Sequence, residues 1–246
     1  MPRLLMLNNP PEPEATYIIF PPAGGLASFK QSWLAYLPPE SRIICIEYPE
    51  RGIALDDKFI NQFNELSKNI CKNILEYVQG NIYFIGESMG GYLAFDIAQT
   101  LFLRLKRQVS AILLISVGNA DNISGDMKFL LSLPKKDFEN LIVNKIFNNN
   151  NPWKEFDKDT QNYFMELLHQ DMQVLSTFRS RYIEPLPSLL MVSNGVSDTH
   201  CHNNNTKIFW SKKISKKFLY SSFLGGHITT IEHISSIFKK FLKFIR

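Results

Sequence analysis

The ten residues Ile82–Gly91 read IYFIGESMGG, in which a short β-type run passes directly into the pattern Gly-x-Ser-x-Gly. A helical pattern begins at Met89, so Ser88 falls at the junction of a strand and a helix. A sharp turn there presents the serine hydroxyl to a base, and Gly86 and Gly90 lack the Cβ atoms that would obstruct the turn. The pattern alone arises by chance in about one chain in ten of this length, but this setting predicts Ser88 as a nucleophile.

Strand and helix patterns alternate along the chain. Continuous apolar runs, typical of strands buried on both faces of a parallel sheet, occupy six segments: Tyr17–Phe20, Arg42–Tyr48, Ile82–Ile85, Ala111–Val117, Leu189–Ser193 and Lys217–Ser221. Helical patterns fall between or after them: Phe29–Tyr36, Asp57–Val78, Met89–Leu105, Thr206–Ser211 and Ile228–Ile245. This order predicts a mostly parallel, doubly wound α/β sheet in a single domain over residues 1–246.

Residues 119–183 interrupt the alternation. They show helical patterns at Lys135–Phe147 and Lys158–Phe178 and no convincing strand. An insertion of this size after a strand is a candidate lid over a site. Its apolar residues either face that site or pack between two helices: Phe138, Leu141, Ile142, Ile146, Phe164 and Leu168.

Composition favours a soluble, cytoplasmic protein. The chain has 246 residues, is 45% hydrophobic and has no apolar run near the roughly 20 residues of a membrane span. The start, MPRLLMLNNP, has too short an apolar stretch and no small-residue cleavage site, so we expect no signal peptide. Three scattered cysteines, an odd number, argue against a disulfide framework and for free thiols.

The net charge of +4 is unevenly distributed. Eight basic residues crowd the last 35 positions against the single acid Glu232: Lys212, Lys213, Lys216, Lys217, Lys239, Lys240, Lys243 and Arg246. An acidic partner is compatible with this cluster, although such charge runs are usually plain solvated surface. No helix-turn-helix spacing or RNP-type motif accompanies the charge, so we expect no nucleic-acid partner.

A serine nucleophile needs a general base, and His227 is the best candidate among five histidines. It lies between the last predicted strand and the last helix, from which such a sheet delivers a histidine to the turn. Gly225 and Gly226 allow that loop to bend close. His233 falls inside the helical pattern, where packing or exposure is the simpler interpretation.

The base in turn needs a carboxylate to orient it, at the carboxyl end of a late strand. The strand Ala111–Val117 ends with Ser116 and offers no acid until Asp121. The strand Leu189–Ser193 leads into Asn-Gly-Val-Ser-Asp, which ends at Asp198. Asp198 is therefore the predicted acid, and a turn residue that bonds its own backbone is the alternative.

Two backbone N–H groups must converge to form an oxyanion hole, and one of them belongs to Met89, the residue after the nucleophile. The second is expected from the loop Pro-Pro-Ala-Gly-Gly after the first predicted strand, at Ala23 with Gly24 as the alternate. As a plain turn signal this loop would be ordinary.

The segment Asp198–His202 reads DTHCH and packs four metal-ligand types into five positions. It lacks a second, distant ligand pair of the kind that structural zinc sites use. We therefore predict a polar loop there, with no metal and no cofactor.

Several motifs together resemble the type II thioesterases, stand-alone α/β hydrolases that accompany nonribosomal peptide and polyketide synthases. The resemblance runs in order from Phe20 to the last helix, and the motifs that carry it are FPPAGGLASF at Phe20–Phe29, YPERG at Tyr48–Gly52, GESMGG at Gly86–Gly91, LPKKDF at Leu133–Phe138, Gly195 with Asp198, and GGH at Gly225–His227. Two residues depart from the family pattern: Glu87 replaces the commoner histidine before the nucleophile, and Glu50 replaces the usual glycine after Pro49.

The resemblance implies an α/β-hydrolase fold with a helical lid insertion at about 119–183. It also implies a Ser88–His227–Asp198 triad that hydrolyses acyl or aminoacyl thioesters on the phosphopantetheine arm of an acyl or peptidyl carrier protein, for editing or product release. No membrane partner is expected, and a monomer is the working expectation. Two other function classes stay open: an acyl-CoA thioesterase or carboxylesterase of the same fold, and a hydrolase-like binding module without turnover.

Overall fold

A single seven-stranded sheet organises the computed structural model, which describes residues 1–78, 80–143, 155–180 and 184–246. The strands are β1 (Arg3–Asn8), β2 (Ala15–Phe20), β3 (Arg42–Glu47), β4 (Asn81–Glu87), β5 (Ala111–Ile115), β6 (Leu189–Gly195) and β7 (Phe218–Phe223). Their order across the sheet is β1-β3-β2-β4-β5-β6-β7, and all neighbouring pairs are parallel except β1 with β3. The predicted mostly parallel α/β sheet is confirmed.

Strand β1 is the one strand of this sheet that was not predicted from the sequence. It pairs antiparallel with β3, with Leu5 opposite Cys45, and forms one edge of the sheet. Its side chains are partly exposed, so its pattern lacks the continuous burial that marks the central strands. Because its partner is some forty residues away along the chain, no local turn signal announces the pairing.

The described residues contain seven α-helices: α1 (Phe63–Ile74), α2 (Met89–Leu105), α3 (Ile123–Leu131), α4 (Lys135–Ile142), α5 (Lys158–Ser176), α6 (Asn204–Ser211) and α7 (Ile231–Ile245). The predicted helix at Phe29–Tyr36 is a 3-10 helix, Ala27–Tyr36. Helix α7 begins three residues later than predicted because Thr230 and His233 form a capping box at its start. The predicted helix from Asp57 begins only at Phe63.

Residues 119–183 hold three described helices, α3, α4 and α5, of which α3 was not predicted. The end of the predicted helix Lys135–Phe147, including Ile146, lies outside the described residues. Phe138 and Ile142 are buried in the hydrophobic core, whereas Leu168 is partly buried against it. The two buried residues therefore pack in the core between helices, which is one of the two interpretations given above.

Helices cover both faces of the sheet, and the side chains of each strand alternate between two cores. Along β2, Ile18 belongs to the core under α1 and α2, and Ile19 belongs to the core under α7 and the 3-10 helix Ala27–Tyr36. Because β2 and β4–β7 are parallel, their carboxyl ends share one edge of the sheet, where the predicted site residues follow. Within the described ranges, no helix combines the length and apolarity that crossing a membrane requires.

Candidate active site

The turn at Ser88 has the strained backbone that the motif predicts. Strand β4 ends at Glu87 and α2 begins at Met89, and Ser88 between them has φ 50° and ψ −116°. A positive φ at a non-glycine residue costs energy and is concentrated at functional sites. The turn is also tight, since a Cβ on Gly90 would lie 2.0 Å from the carbonyl oxygen of Phe20. Close approach of β2 to the start of α2 therefore requires glycine at this position.

The structure brings Ser88, His227 and Asp198 together in one hydrogen-bonded chain. Nε2 of His227 lies 3.0 Å from Oγ of Ser88, and Nδ1 of His227 lies 2.6 Å from Oδ2 of Asp198. With Asp198 ionised, Nδ1 carries the proton and Nε2 is left to accept the serine proton. The His227 side chain is 26% exposed, so the group is reachable from solvent.

Asp198 is held as a carboxylate. Burial by itself raises the pKa of this group, but the hydrogen bond from His227 and its charge outweigh burial and bring the pKa to about 2. The backbone N–H of Cys201 also donates to Oδ1 of Asp198, at 3.2 Å. The acid is thus ionised at neutral pH and fixed from two directions.

Two further polar residues, at the carboxyl ends of the central strands, bond the loops that carry Asp198 and His227. Neither was given a role from the sequence. Asn194 is fully buried, and its amide bonds the backbone of Val117 and the carbonyl oxygen of Cys201. Ser116, which has φ 53°, donates from Oγ to the carbonyl oxygen of His227 at 2.7 Å. Both follow or end a central strand, which is the signal that could have identified them.

The loop after β2 lies beside the turn at Ser88, and one of its two candidate N–H donors is occupied. The N–H of Gly24 donates to Oδ2 of Asp171 in α5, at 2.7 Å. Ala23 is not committed to any hydrogen bond with the described residues. Of the two alternatives, Gly24 is therefore already engaged, and the role of Ala23 as the second donor stays a prediction.

Helix α5 is tied to this loop through a buried ion pair. The Arg51 guanidinium bonds both oxygens of Asp171, at 2.6 and 2.8 Å, and the two side chains are 1% and 2% exposed. Leu168 lies against Gly24, since a Cβ on Gly24 would be 3.4 Å from the Cβ of Leu168. Helix α5 is therefore anchored at the turn of the loop that follows β2.

Glu50, one of the two departures from the family pattern, has φ 63°, a conformation that glycine adopts without strain. Its carboxylate accepts a hydrogen bond from Nε2 of Gln170 in α5, at 2.8 Å. A glutamate at this position thus adds a contact to α5, and its positive φ costs some backbone strain.

The remaining candidates lie away from this chain of three. Asp121 is exposed, and its N–H donates to Asn119. His233 accepts a hydrogen bond from the Thr230 N–H at the start of α7. His200 is exposed and lies 3.5 Å from Asp126.

The segment Asp198–His202 does not fold into a ligand set. Among the described residues, the group close enough to share an ion consists of Asp198, Cys201 and His227, without His200 or His202. Asp198 and His227 already bond each other at 2.6 Å. Cys201 is buried, and burial raises the pKa of its thiol far above its ordinary value. The absence of a metal at this loop stays a prediction.

Part of the basic cluster lies at the opposite edge of the sheet. Lys217 directly precedes β7, whose far end leads to His227, and its Nζ lies 5.1 Å from the ring of Phe244 near the end of α7. A six-residue strand spans roughly 20 Å, so Lys217, Lys243 and Arg246 lie about that far from the Ser88 edge. At physiological salt the Debye length is about 8 Å, so these three residues are poorly placed to steer a partner to the site. Lys240 lies nearer to the Ser88 edge, since its Nζ is 3.4 Å from the carbonyl oxygen of Ser222 near the carboxyl end of β7.

Comparisons with known proteins agree with this fold. The thioesterase domain family model matches residues 16–245. The chain is 24% identical over 240 residues to the AMB antimetabolite synthetase AmbE of Pseudomonas aeruginosa, covering 93% of this chain and 11% of AmbE. It is 31% identical over 100 residues to a probable cadicidin biosynthesis thioesterase of Streptomyces griseus, covering 40% of this chain and 28% of the relative. The chain thus spans well under a third of either relative.

A solved structure shares the fold over nearly the whole chain. The type II thioesterase BorB from the borrelidin biosynthetic cluster superposes with a TM-score of 0.79 at 20% identity, covering 99% of this chain and 96% of BorB. The predicted resemblance to type II thioesterases is therefore confirmed at the level of fold and family. Since the family model covers almost all of the chain, the chain belongs to the thioesterase domain family.

Proposed function

We propose that this protein hydrolyses acyl or aminoacyl thioesters on the phosphopantetheine arm of carrier proteins, for editing or product release. The observation that carries the proposal is the chain from Ser88 through His227 to Asp198, with links of 3.0 and 2.6 Å. Membership of the thioesterase domain family supports the choice of a thioester over an oxygen ester. The names of the relatives refer to antimetabolite, cadicidin and borrelidin biosynthesis, which supports a biosynthetic setting.

In the first half of the reaction, Oγ of Ser88 attacks the thioester carbonyl while Nε2 of His227 takes the hydroxyl proton. The N–H groups of Met89 and Ala23 donate to the oxyanion that forms. The intermediate then collapses, the carbon–sulfur bond breaks, and His227 returns the proton to the departing thiolate. The products of this half are a free thiol and an acyl ester on Ser88.

In the second half, His227 takes a proton from water, and the resulting hydroxide attacks the acyl ester. The carbon–oxygen bond to Ser88 breaks, the carboxylic acid leaves, and His227 gives the proton back to Oγ. Asp198 stays ionised throughout, because its pKa of about 2 is far below neutral pH. Its role is to hold the imidazole tautomer and to stabilise the imidazolium.

The carrier protein has to approach the edge of the sheet where Ser88 lies. Exposed apolar side chains occur near this edge: Leu224 and Ile228 in the loop between β7 and α7, and Phe29 in the 3-10 helix that follows the loop after β2. Leu224 is 82% exposed and lies three residues before His227. We place the carrier contact at these loops, not at the basic residues near the far ends of α7 and β7. The cytoplasmic location and the monomeric state stay predictions.

A comparison of substrates tests the proposal. One acyl group is presented on a carrier protein, on CoA, on N-acetylcysteamine and as an oxygen ester, and kcat/KM is measured for each with Ser88→Ala as the blank. The expected order puts the carrier first and the oxygen ester last. Equal kcat/KM on carrier and CoA would point to an acyl-CoA thioesterase, a preference for the oxygen ester to a carboxylesterase, and no turnover of any substrate to a binding module.

A further inference from the structure

Glu87 is a buried carboxylate directly before Ser88, and the mechanism above does not use it. It departs from the family pattern, which has a histidine more often at this position. Its side chain is 7% exposed, and one of its oxygens, Oε2, forms an ion pair with Nζ of Lys30. The other oxygen, Oε1, accepts a hydrogen bond from Oγ1 of Thr229, at 2.7 Å. Both oxygens of the carboxylate are therefore engaged.

The three residues come from three different parts of the site. Lys30 lies in the 3-10 helix Ala27–Tyr36 that follows the oxyanion loop, and its Nζ also lies 4.0 Å from the ring of Trp33. Glu87 ends β4 at the nucleophile turn. Thr229 lies in the loop between β7 and α7, two residues after His227. The network thus joins the three segments that supply the donor, the nucleophile and the base.

The loop that carries His227 has little packing to fix its position. Leu224 is 82% exposed and Ile228 is 41% exposed, so few apolar contacts hold the two sides of the histidine. Among its polar anchors are the Oγ of Ser116 on the carbonyl oxygen of His227, at 2.7 Å, the carboxylate of Glu87 on Thr229, and the N–H of Ser197 on the carbonyl oxygen of Gly225, at 2.9 Å. Ser116 follows β5 and Glu87 ends β4, so the loop is held from two neighbouring strands.

Lys30 keeps Glu87 in the form that can accept this hydrogen bond. A buried carboxylate tends to protonate, and a protonated group loses part of its capacity to accept. Burial alone raises the pKa of Glu87, but the Lys30 charge and the hydrogen bonds from Lys30 and Thr229 outweigh burial and lower it. The ion pair and the hydrogen bond therefore support each other.

We propose that the Lys30–Glu87–Thr229 network positions the His227 loop so that Nε2 stays within hydrogen-bond reach of Ser88. Glu87, Lys30 and Thr229 are positioning residues, since they act on the reaction through His227. The inference rests on the proposed function, because it assumes that His227 activates Ser88. It also gives a physical reason why this chain tolerates a carboxylate where the family more often has histidine: Lys30 supplies the compensating charge.

The first test changes only the hydrogen bond. Thr229→Val removes Oγ1 at nearly constant volume, and Thr229→Ser retains it. Kcat and KM are measured on an N-acetylcysteamine thioester, together with the rate of Ser88 labelling by a fluorophosphonate and the melting temperature. We expect Thr229→Val to lower kcat and the labelling rate together by about 10- to 100-fold, with KM unchanged, and Thr229→Ser to stay within about twofold of the parent.

A matched control separates positioning from general stability. Ser67 in α1 donates a buried hydrogen bond to Asp96 in α2, at 2.6 Å, away from the His227 loop. Ser67→Ala should lower the melting temperature and leave kcat at the parental value. Thr229→Val with parental kcat and labelling would overturn the inference. So would an equal fall in kcat for Thr229→Val and Ser67→Ala, since general destabilisation would then explain both.

The second test asks whether Thr229 acts through Glu87. Lys30→Met combined with Glu87→Leu removes both charges, so no buried charge is left unpaired. In that background Thr229→Val should change kcat by less than about twofold, because the hydrogen bond is already lost. A loss as large as in the parent would show that Thr229 does not act through Glu87. Absence of Ser88 labelling in the parent protein, in contrast, would be a failure of the proposed function itself.

Discussion

The buried pair between Arg51 and Asp171 should be the main anchor of helix α5, and Asp171→Asn is the change that tests it. The replacement keeps the shape of the side chain and removes its charge. Arg51 is 1% exposed, so its guanidinium loses its hydrogen-bonded counter-charge where water cannot replace it. Breaking a buried ion pair by removing one partner costs about 3–5 kcal/mol. For a chain of this size, we expect the melting temperature to fall by roughly 10 °C.

A loss of activity should accompany this loss of stability. Oδ2 of Asp171 accepts from both Arg51 and the N–H of Gly24, next to the candidate oxyanion donor Ala23. The asparagine side chain has only one acceptor oxygen. If that oxygen turns toward Arg51, its NH₂ group faces the N–H of Gly24, and the loop shifts. Kcat should therefore fall by about 10- to 100-fold at a temperature where the variant is fully folded.

Urea unfolding and steady-state kinetics measure the two effects, with Arg3→Gln as the control. Arg3 pairs with Asp57 at 2.5 Å, but its side chain is 52% exposed, so its loss should change stability far less. Replacing both partners of the buried pair, as Arg51→Met with Asp171→Leu, should recover part of the stability but not the activity. If Asp171→Asn unfolds at the same urea concentration as Arg3→Gln, the pair is not an anchor and this reasoning is wrong.

Three further predictions follow from the same geometry. Asp198→Asn should lower kcat by about 10⁴-fold, and Asp121→Asn should leave it unchanged; the reverse pattern in steady-state kinetics would move the acid to Asp121. The pKa of Asp198 is about 2 in the folded protein against an ordinary 3.8. Its interactions therefore contribute about 2 kcal/mol to the free energy of unfolding above pH 4, and this contribution is lost as the pH falls toward 2. In urea unfolding from pH 6 down to 3, the stability of Asp198→Asn should decline less than that of the parent. Leu224→Gln should lower kcat/KM for an acyl group on the carrier protein but not for the same group on N-acetylcysteamine, and Lys243→Gln should change neither value. The opposite result would place the carrier contact at the basic cluster.

The sequence was sufficient to locate the central strands and the three residues that meet at Ser88. Local signals specify them: a strand passes into a glycine-flanked serine, and the acid and the histidine each follow a later strand. Because carboxyl ends of parallel strands share an edge, chain order then implies spatial proximity. The alternation of strand and helix patterns likewise predicted the mostly parallel α/β sheet.

Contacts between distant segments could not be predicted in this way. Gly24 and Asp171 are 147 residues apart, and Glu87 and Thr229 are 142 apart, so no local pattern joins them. Strand β1 was missed for the same reason, since its partner β3 lies beyond β2 along the chain. The basic residues are close in sequence, but only the return of α7 along β7 shows that Lys217, Lys243 and Arg246 lie away from the site.

Active-site labelling tests the central claim most directly. The protein is treated with a fluorophosphonate, digested, and the modified residue is located by mass spectrometry, with Ser88→Ala, His227→Ala and Asp121→Asn treated in parallel. We predict that Ser88 alone is modified and that Ser88→Ala takes up no label. His227→Ala should react at least about 10²-fold more slowly, and Asp121→Asn should react at the parental rate. Label on another residue, or a parental rate in folded His227→Ala, would contradict it.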